Sequence, residues 1–78
     1  MSVLQQVIEV VADTLNVPAE SLHESSSAKD LPAWDSLAHV NLMIALEQTF
    51  DIQLEVEDFP TLTSIAAIEA YLVSHGVS

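Results

Sequence analysis

Trp34-Asp35-Ser36-Leu37-Ala38-His39-Val40-Asn41-Leu42-Met43-Ile44-Ala45-Leu46-Glu47-Gln48-Thr49-Phe50 is the stretch that decides how this chain folds. It follows a proline at position 32 and turns strongly apolar after Ser36. Asp35 and Ser36 are both good N-cap residues, because a short side chain bearing oxygen can accept from the unpaired N–H groups of a first helical turn. The spacing predicts a helix from Ser36 to Thr49 or Phe50. Its apolar residues fall on two sides. Leu42, Leu46 and Phe50 share one face, with Met43 beside them. Leu37, Val40 and Ile44 form a second stripe on roughly the opposite side. A helix that is apolar nearly all round is either central to a core or uses one face for binding. Few helices are available in 78 residues to cover both sides. The second stripe is therefore expected to lie exposed beside Ser36 as a docking surface.

The flanking segments supply the rest of a small bundle. Leu4, Val7, Ile8, Val11 and Leu15 recur at helical spacing and predict a first helix from Val3 to Leu15. Ser2 is its expected cap, with Gln5 in the capping-box position. The helix should stop near Asn16, because Pro18 turns Val17 away from helical angles. Residues 16 to 35 form a long connection with Leu22, Leu31 and Trp34 as expected anchors and a short helical turn at Ala19-Glu20-Ser21-Leu22. A connection of this length inside a compact domain is normally functional or pinned down. Ile52-Gln53-Leu54-Glu55-Val56 alternates like a strand, but no second strand is present to pair with it. A loop and a short helical turn before Pro60 fit better. Thr63 or Ser64 then caps a last helix carrying Ile65, Ile68, Tyr71, Leu72 and His75, and Gly76 stands where a C-terminal cap belongs. The expected fold is all-α: three main helices, one short helix, and a long loop between the first two. Residues 1–78 are read as a single domain.

Composition narrows the partners. Twelve Asp and Glu residues face Lys29 alone, for a formal net charge of -11. Such a chain repels nucleic acid and anionic lipid surfaces and should attract proteins with basic docking patches. There is no cysteine, so neither a disulfide nor a thiolate metal site can form. No apolar run approaches the roughly 20 residues that a membrane span needs, and no secretory leader is visible. A monomeric cytoplasmic protein without stable membrane insertion is expected.

Asp35-Ser36-Leu37, followed by Leu42-Met43-Ile44-Ala45-Leu46-Glu47, then Phe50-Asp51-Ile52, and Thr63-Ser64-Ile65 through Ile68-Glu69-Ala70-Tyr71-Leu72, resembles the acyl carrier protein family over nearly the whole chain. The resemblance implies a non-catalytic carrier whose Ser36 hydroxyl bears 4′-phosphopantetheine, with the thiol of that arm holding an acyl group as a thioester. It implies that Asp35 helps a phosphopantetheinyl transferase (holo-carrier synthase) orient a metal ion. It also implies docking to acyl-loading and acyl-processing enzymes through Leu37, Val40, Ile44 and Glu47. No catalytic residue and no resident metal are expected. Fatty-acid synthesis carriers typically have acids along this helix, where Ala38, Asn41 and Gln48 stand here, although Asp35, Glu47 and Asp51 remain. That departure points to a dedicated fatty-acid, polyketide or related specialised pathway.

From the residues alone other readings stay open. Asp35 and Ser36 could serve only as helix caps, in a protein-binding adaptor with an unmodified serine. A peptidyl or D-alanyl carrier is a nearer alternative. Peptidyl carriers usually have glycine before the motif and D-alanyl carriers commonly have methionine after the serine; Trp34 and Leu37 match neither pattern well. A hydrolase built on Ser36, His39 and Asp35 is disfavoured, since Asp35 is badly placed to orient the imidazole and no glycine-rich turn supplies an oxyanion hole. His23, His39 and His75 read as ordinary surface or flank residues. A calcium loop with alternating Asp spacing is absent from the sequence.

Overall fold

Each of the three main helices begins on a side-chain oxygen and is closed by a left-handed residue, at the C-cap of the first two and one residue beyond it in the third. The computed structural model describes residues 2–77. In chain order they are α1 (Val3–Leu15), a 3-10 turn (Ala19–Ser21), α2 (Ser36–Phe50), a 3-10 helix (Val56–Thr61) and α3 (Ile65–Ser74). Ser2 Oγ accepts from Gln5 N–H at 3.1 Å, Asp35 Oδ1 from Ala38 N–H at 2.9 Å, and Ser64 Oγ from Ala67 N–H at 3.1 Å. Each satisfies one of the orphan donors that a helix start leaves. At the other ends Asn16, Asp51 and Gly76 take φ of 57°, 54° and 88°. The next residue then bonds back across the last turn: Val17 N–H to Ala12 O, Ile52 N–H to Glu47 O, and Val77 N–H to Leu72 O. Asn, Asp and Gly are the residues that reach this conformation most easily. Asn16 itself therefore stops α1, two residues before Pro18.

Two expected details change. His75 was expected on the last helix, but α3 ends at Ser74 and His75 caps it. Its ring stacks on Tyr71 with centroids 4.0 Å apart. The short helical turn expected before Pro60 runs through it, from Val56 to Thr61. Pro60 offers no N–H to a carbonyl upstream. The coil continues because Leu62 N–H reaches Phe59 O and the Thr61 hydroxyl donates to Asp58 O. No strand forms at 52–56.

Packing follows the apolar pattern. α1 packs against both α2 and α3. Val3, Val7, Val11 and Leu15 are buried on its inner side, while Leu4 and Ile8 flank them half-buried. Leu42, Met43 and Leu46 of α2 belong to the same buried cluster as Ile65, Ile68 and Leu72 of α3. Phe50, on the last turn of α2, is half-buried at the edge of that core. The connections add Leu22, Trp34, Leu54 and Leu62. No buried polar side-chain atom among the described residues lacks a hydrogen-bond partner.

The long connection is held by backbone as well as by side chains. Leu22 and Trp34 are buried and Leu31 is half-buried against the core. Beyond those anchors, Ala28 N–H donates to Thr63 O, Ile65 N–H to Ser26 O, and Ala66 N–H to Glu24 O. The loop thus accepts from two of the unpaired N–H groups at the start of α3. A turn over Leu31-Pro32-Ala33-Trp34, closed by Trp34 N–H on Leu31 O at 2.9 Å, then aims the indole inward; proline is favoured at its second position. The radius of gyration is 11.1 Å, against about 11.5 Å for a compact domain of this length, so the loop lies on the body rather than away from it.

These packing relations set stability differences that denaturant unfolding can read. Leu46→Ala, at a site with 1 % exposure, should destabilise the fold by about 2–5 kcal/mol. Ile44→Ala, two residues earlier on the uncovered side, should cost much less. The reverse ranking would overturn the assignment of the two faces.

The tie between the second 3-10 helix and α3 makes a separate prediction. Tyr71 Oη donates to Asp58 Oδ2 at 3.1 Å. Partial burial, that hydrogen bond, and the negative charges of Asp58 and Glu55 all push the phenol above its ordinary pKa. The folded chain then holds the proton more tightly than the unfolded chain. Stability should fall as pH rises past about 10, and level off above the raised folded value. Tyr71 is the sole tyrosine, so tyrosinate absorbance reports it alone. A midpoint at or below the ordinary value, or an equal loss of alkaline stability in Tyr71→Phe, would contradict the tie.

Candidate functional site

The start of α2 presents a serine to solvent on a rigid support. Asp35 is the N-cap and Ser36 the first helical residue, and both are exposed. Oδ1 of Asp35 takes the Ala38 N–H, and the Asp35 carbonyl takes the His39 N–H at 2.8 Å. The N–H groups of Ser36 and Leu37 have no helical carbonyl upstream of them. They lie beside the Ser36 hydroxyl at the positive end of the helix dipole, a setting that favours an anion such as a phosphodiester. The residues therefore suit a phosphate-linked group on that hydroxyl. Asp35 has a capping duty of its own, which its place in the sequence already foretold.

Ser36 opens onto the uncovered side of α2. Leu37 is 72 % exposed, Val40 45 % and Ile44 47 %. With helical spacing these three form one apolar strip running from the serine along the helix. Glu47 lies at the edge of the same face, two turns past Val40. It is half-buried, and its Oε2 accepts the Leu54 N–H at 2.8 Å. That bond ties the segment after α2 back onto the helix, a role that the sequence did not reveal. It leaves Glu47 as a fixed charge rather than a swinging one.

His39 is the residue that sequence reasoning misread. It is not an ordinary surface or flank side chain but a half-buried bridge between three segments. Trp34 Nε1–H donates to His39 Nδ1 at 3.0 Å, and His39 Nε2 lies 2.7 Å from the Phe59 carbonyl. The Phe59 ring stands edge-on to the imidazole, with centroids 6.4 Å apart. Both ring nitrogens are thus engaged away from Ser36, which removes His39 as a base for a serine hydrolase. A usable signal was present: Trp34 and His39 are five apart across a helix start, and a buried indole N–H needs an acceptor.

Two hollows adjoin α2. The smaller, about 190 Å³, lies beside the serine and is lined by Ala28, Trp34, Asp35, Ser36, His39 and Thr63. The larger, about 720 Å³, is an open groove at the far end of the helix, among Gln6, Glu9, Val10, Asp13, Val17, Thr49, Phe50 and their neighbours. Volume does not select the site here. Of the two, only the smaller is lined by a serine, Ser36 at the start of α2; the larger is an open trough without one. No helix among the described residues is long and apolar enough to cross a membrane.

Comparison with known proteins agrees with this arrangement. The family model described as a phosphopantetheine attachment site matches residues 5–72. The chain is 34 % identical over 79 aligned positions to an acyl carrier protein of Syntrophus aciditrophicus, covering 100 % of this chain and 98 % of the relative. It is 36 % identical over 74 positions to an acyl carrier protein of Clostridium acetobutylicum, covering 94 % and 95 % respectively. The cofactor of this family is 4′-phosphopantetheine. A helical bundle with a long first connection, matched over nearly its full length, belongs to the acyl carrier protein family.

Proposed function

We propose that residues 1–78 form one carrier domain in which the Ser36 hydroxyl bears the 4′-phosphopantetheine arm. The observation that carries this reading is an exposed serine in the first turn of α2, next to a capping aspartate and an uncovered apolar strip. When attached, the arm supplies a thiol that holds acyl groups as thioesters. The chain itself performs no turnover. It holds the hydroxyl clear of the core, keeps donors beside the linking phosphate, and offers a surface for partners. Attachment joins Ser36 Oγ to phosphorus as the bond from that phosphorus to the adenosine bisphosphate of coenzyme A breaks. The serine proton passes to a base on the transferase. Asp35 uses Oδ1 as a cap, and its second oxygen is available to a metal ion brought by that enzyme.

Leu37, Val40 and Ile44 are the apolar part of docking, with Glu47 as a fixed negative charge at its edge. Partners are a phosphopantetheinyl transferase and acyl-loading and acyl-processing enzymes with basic or apolar patches. Ala38, Asn41 and Gln48 leave the middle of the exposed helix uncharged. That composition favours a dedicated fatty-acid, polyketide or related specialised pathway over general fatty-acid synthesis, and a cytoplasmic setting suits such enzymes.

The modification itself is read by intact mass. Incubation with a broad-specificity transferase, magnesium and coenzyme A should add one phosphopantetheine to the folded chain and none to Ser36→Ala. A folded wild-type chain that stays unmodified with several transferases, or an equal gain in Ser36→Ala, would overturn the assignment.

A further inference from the structure

The hollow beside Ser36 has walls that are tied to one another. They come from the long loop through Ala28 and Trp34, from the start of α2 through Asp35, Ser36 and His39, and from the approach to α3 through Thr63. Ala28 N–H donates to Thr63 O at 2.8 Å, which holds the loop to the approach to α3. Trp34 Nε1–H donates to His39 Nδ1 at 3.0 Å, which holds the indole to α2. The same bonds use up polar groups around the space. The indole N–H is engaged, His39 Nε2 lies 2.7 Å from Phe59 O, and Asp35 Oδ1 holds the Ala38 N–H. Water in a hollow needs several polar partners to be well held. Loosely held water is favourably displaced by an apolar group.

Ser36 itself lines the hollow, so a group linked to its hydroxyl starts at the rim. In a 4′-phosphopantetheine arm the first carbon segment after the phosphate is branched. A quaternary carbon with two methyl groups stands four bonds from the serine oxygen, between a methylene and a carbinol carbon. Further along come two amides, which lose free energy if buried without partners, and then the thiol. The branched segment is thus the part of the arm that is both apolar and close to the rim. Its bulk is similar to that of benzene, which occupies a protein cavity of about 150 Å³. The hollow, at about 190 Å³, accepts that segment and little more of the arm.

We propose that the hollow walled by Ala28, Trp34 and Thr63 is a seat for the geminal dimethyl segment of the attached arm. This rests on Ser36 as the attachment residue. Burial of the two methyl groups against the indole removes apolar surface from water. It fixes the root of the arm on the loop side of α2 and leaves the amides and thiol outside. Leu37, Val40 and Ile44 do not line the hollow, so the strip stays open to partners while the seat is filled. Trp34 then serves the arm as well as the loop.

The chain has one tryptophan, so its ring current is a local reporter. The isotope-labelled full chain is loaded from unlabelled coenzyme A, and loading is followed by intact mass. The two methyl signals of the arm should lie upfield of those in free coenzyme A. They should show isotope-filtered magnetisation transfer to the Trp34 ring and to Ala28. In Ala28→Leu, which narrows the hollow from the loop side, a loaded chain should return both methyl signals toward their free positions. Methyl signals that match free coenzyme A in the loaded wild type, with no transfer to Trp34, would overturn the seat while leaving attachment intact, and that result needs no variant. So would an undiminished upfield shift in loaded Ala28→Leu. Transfer to Trp34 from an acyl chain on the thiol, with the arm methyls free, would also overturn it. A folded wild-type chain that gains no phosphopantetheine would instead overturn attachment at Ser36 and the seat together.

Discussion

The structure depends on which side of α2 is buried. Leu42, Met43 and Leu46 are buried in the core cluster, with α1 packed against α2, and that choice leaves Leu37, Val40 and Ile44 outside. Burying either set would release apolar surface from water, at roughly 25 cal/mol for each Å² removed. Only one set can be satisfied by the few helices available. The covered side carries the longest line of large residues, and it is matched by Val7 and Val11 on α1 and Ile65, Ile68 and Leu72 on α3. The orientation of Ser36 follows from that packing. A turn of the helix about its axis would bring the serine toward the core and expose Leu46. The exposed strip is thus the complement of the core pattern, and on the function proposed above it is the surface that partner proteins would meet.

The second constraint is the long loop, which could not stay ordered through its own composition. It is rich in serine and short of large apolar side chains. Its order comes from being useful to another element. Ser26 and Glu24 carbonyls accept from the first turn of α3, and Trp34 inserts under the start of α2. Each of those contacts removes a cost on both sides, since the α3 N–H groups and the loop carbonyls would otherwise need water or a cap. Through Trp34, His39 and Phe59 the same loop is joined to the segment before α3. The serine therefore sits on a helix whose first turn is braced from two directions.

Much of this was legible in the chain. The bounds of α1, the start of α2, the cap at Ser2 and the division of α2 into two apolar faces follow from local rules of spacing and capping, while the rules left Asp35 beside Ser36 and Ser64 beside Thr63 as alternative caps, between which the structure decides. Gly76 likewise marks the end of α3. What was not legible depends on segments far apart in sequence. Nothing near Glu47 indicates that its carboxylate will hold the Leu54 N–H. Nothing near Ser26 indicates a bond to Ile65. His39 was misread because its two partners lie on either side of it, one in the loop and one twenty residues later, and only the folded chain brings them to one ring. The alternating run at 52–56 shows the converse. Its period suggests a strand, yet with no partner strand residues 52–55 run without regular structure into the 3-10 helix that begins at Val56.

The most direct measurement is an amide NMR titration of the unmodified chain with a magnesium-loaded phosphopantetheinyl transferase, leaving coenzyme A out so that the encounter is trapped before transfer. If the uncovered face of α2 is what partners read, line broadening and shift changes should concentrate at Asp35, Ser36, Leu37, Val40 and Ile44. The buried face and the outer side of α1 should change little. Changes centred instead on Gln6, Glu9 and Asp13 along the larger groove, with the start of α2 unaffected, would contradict the account.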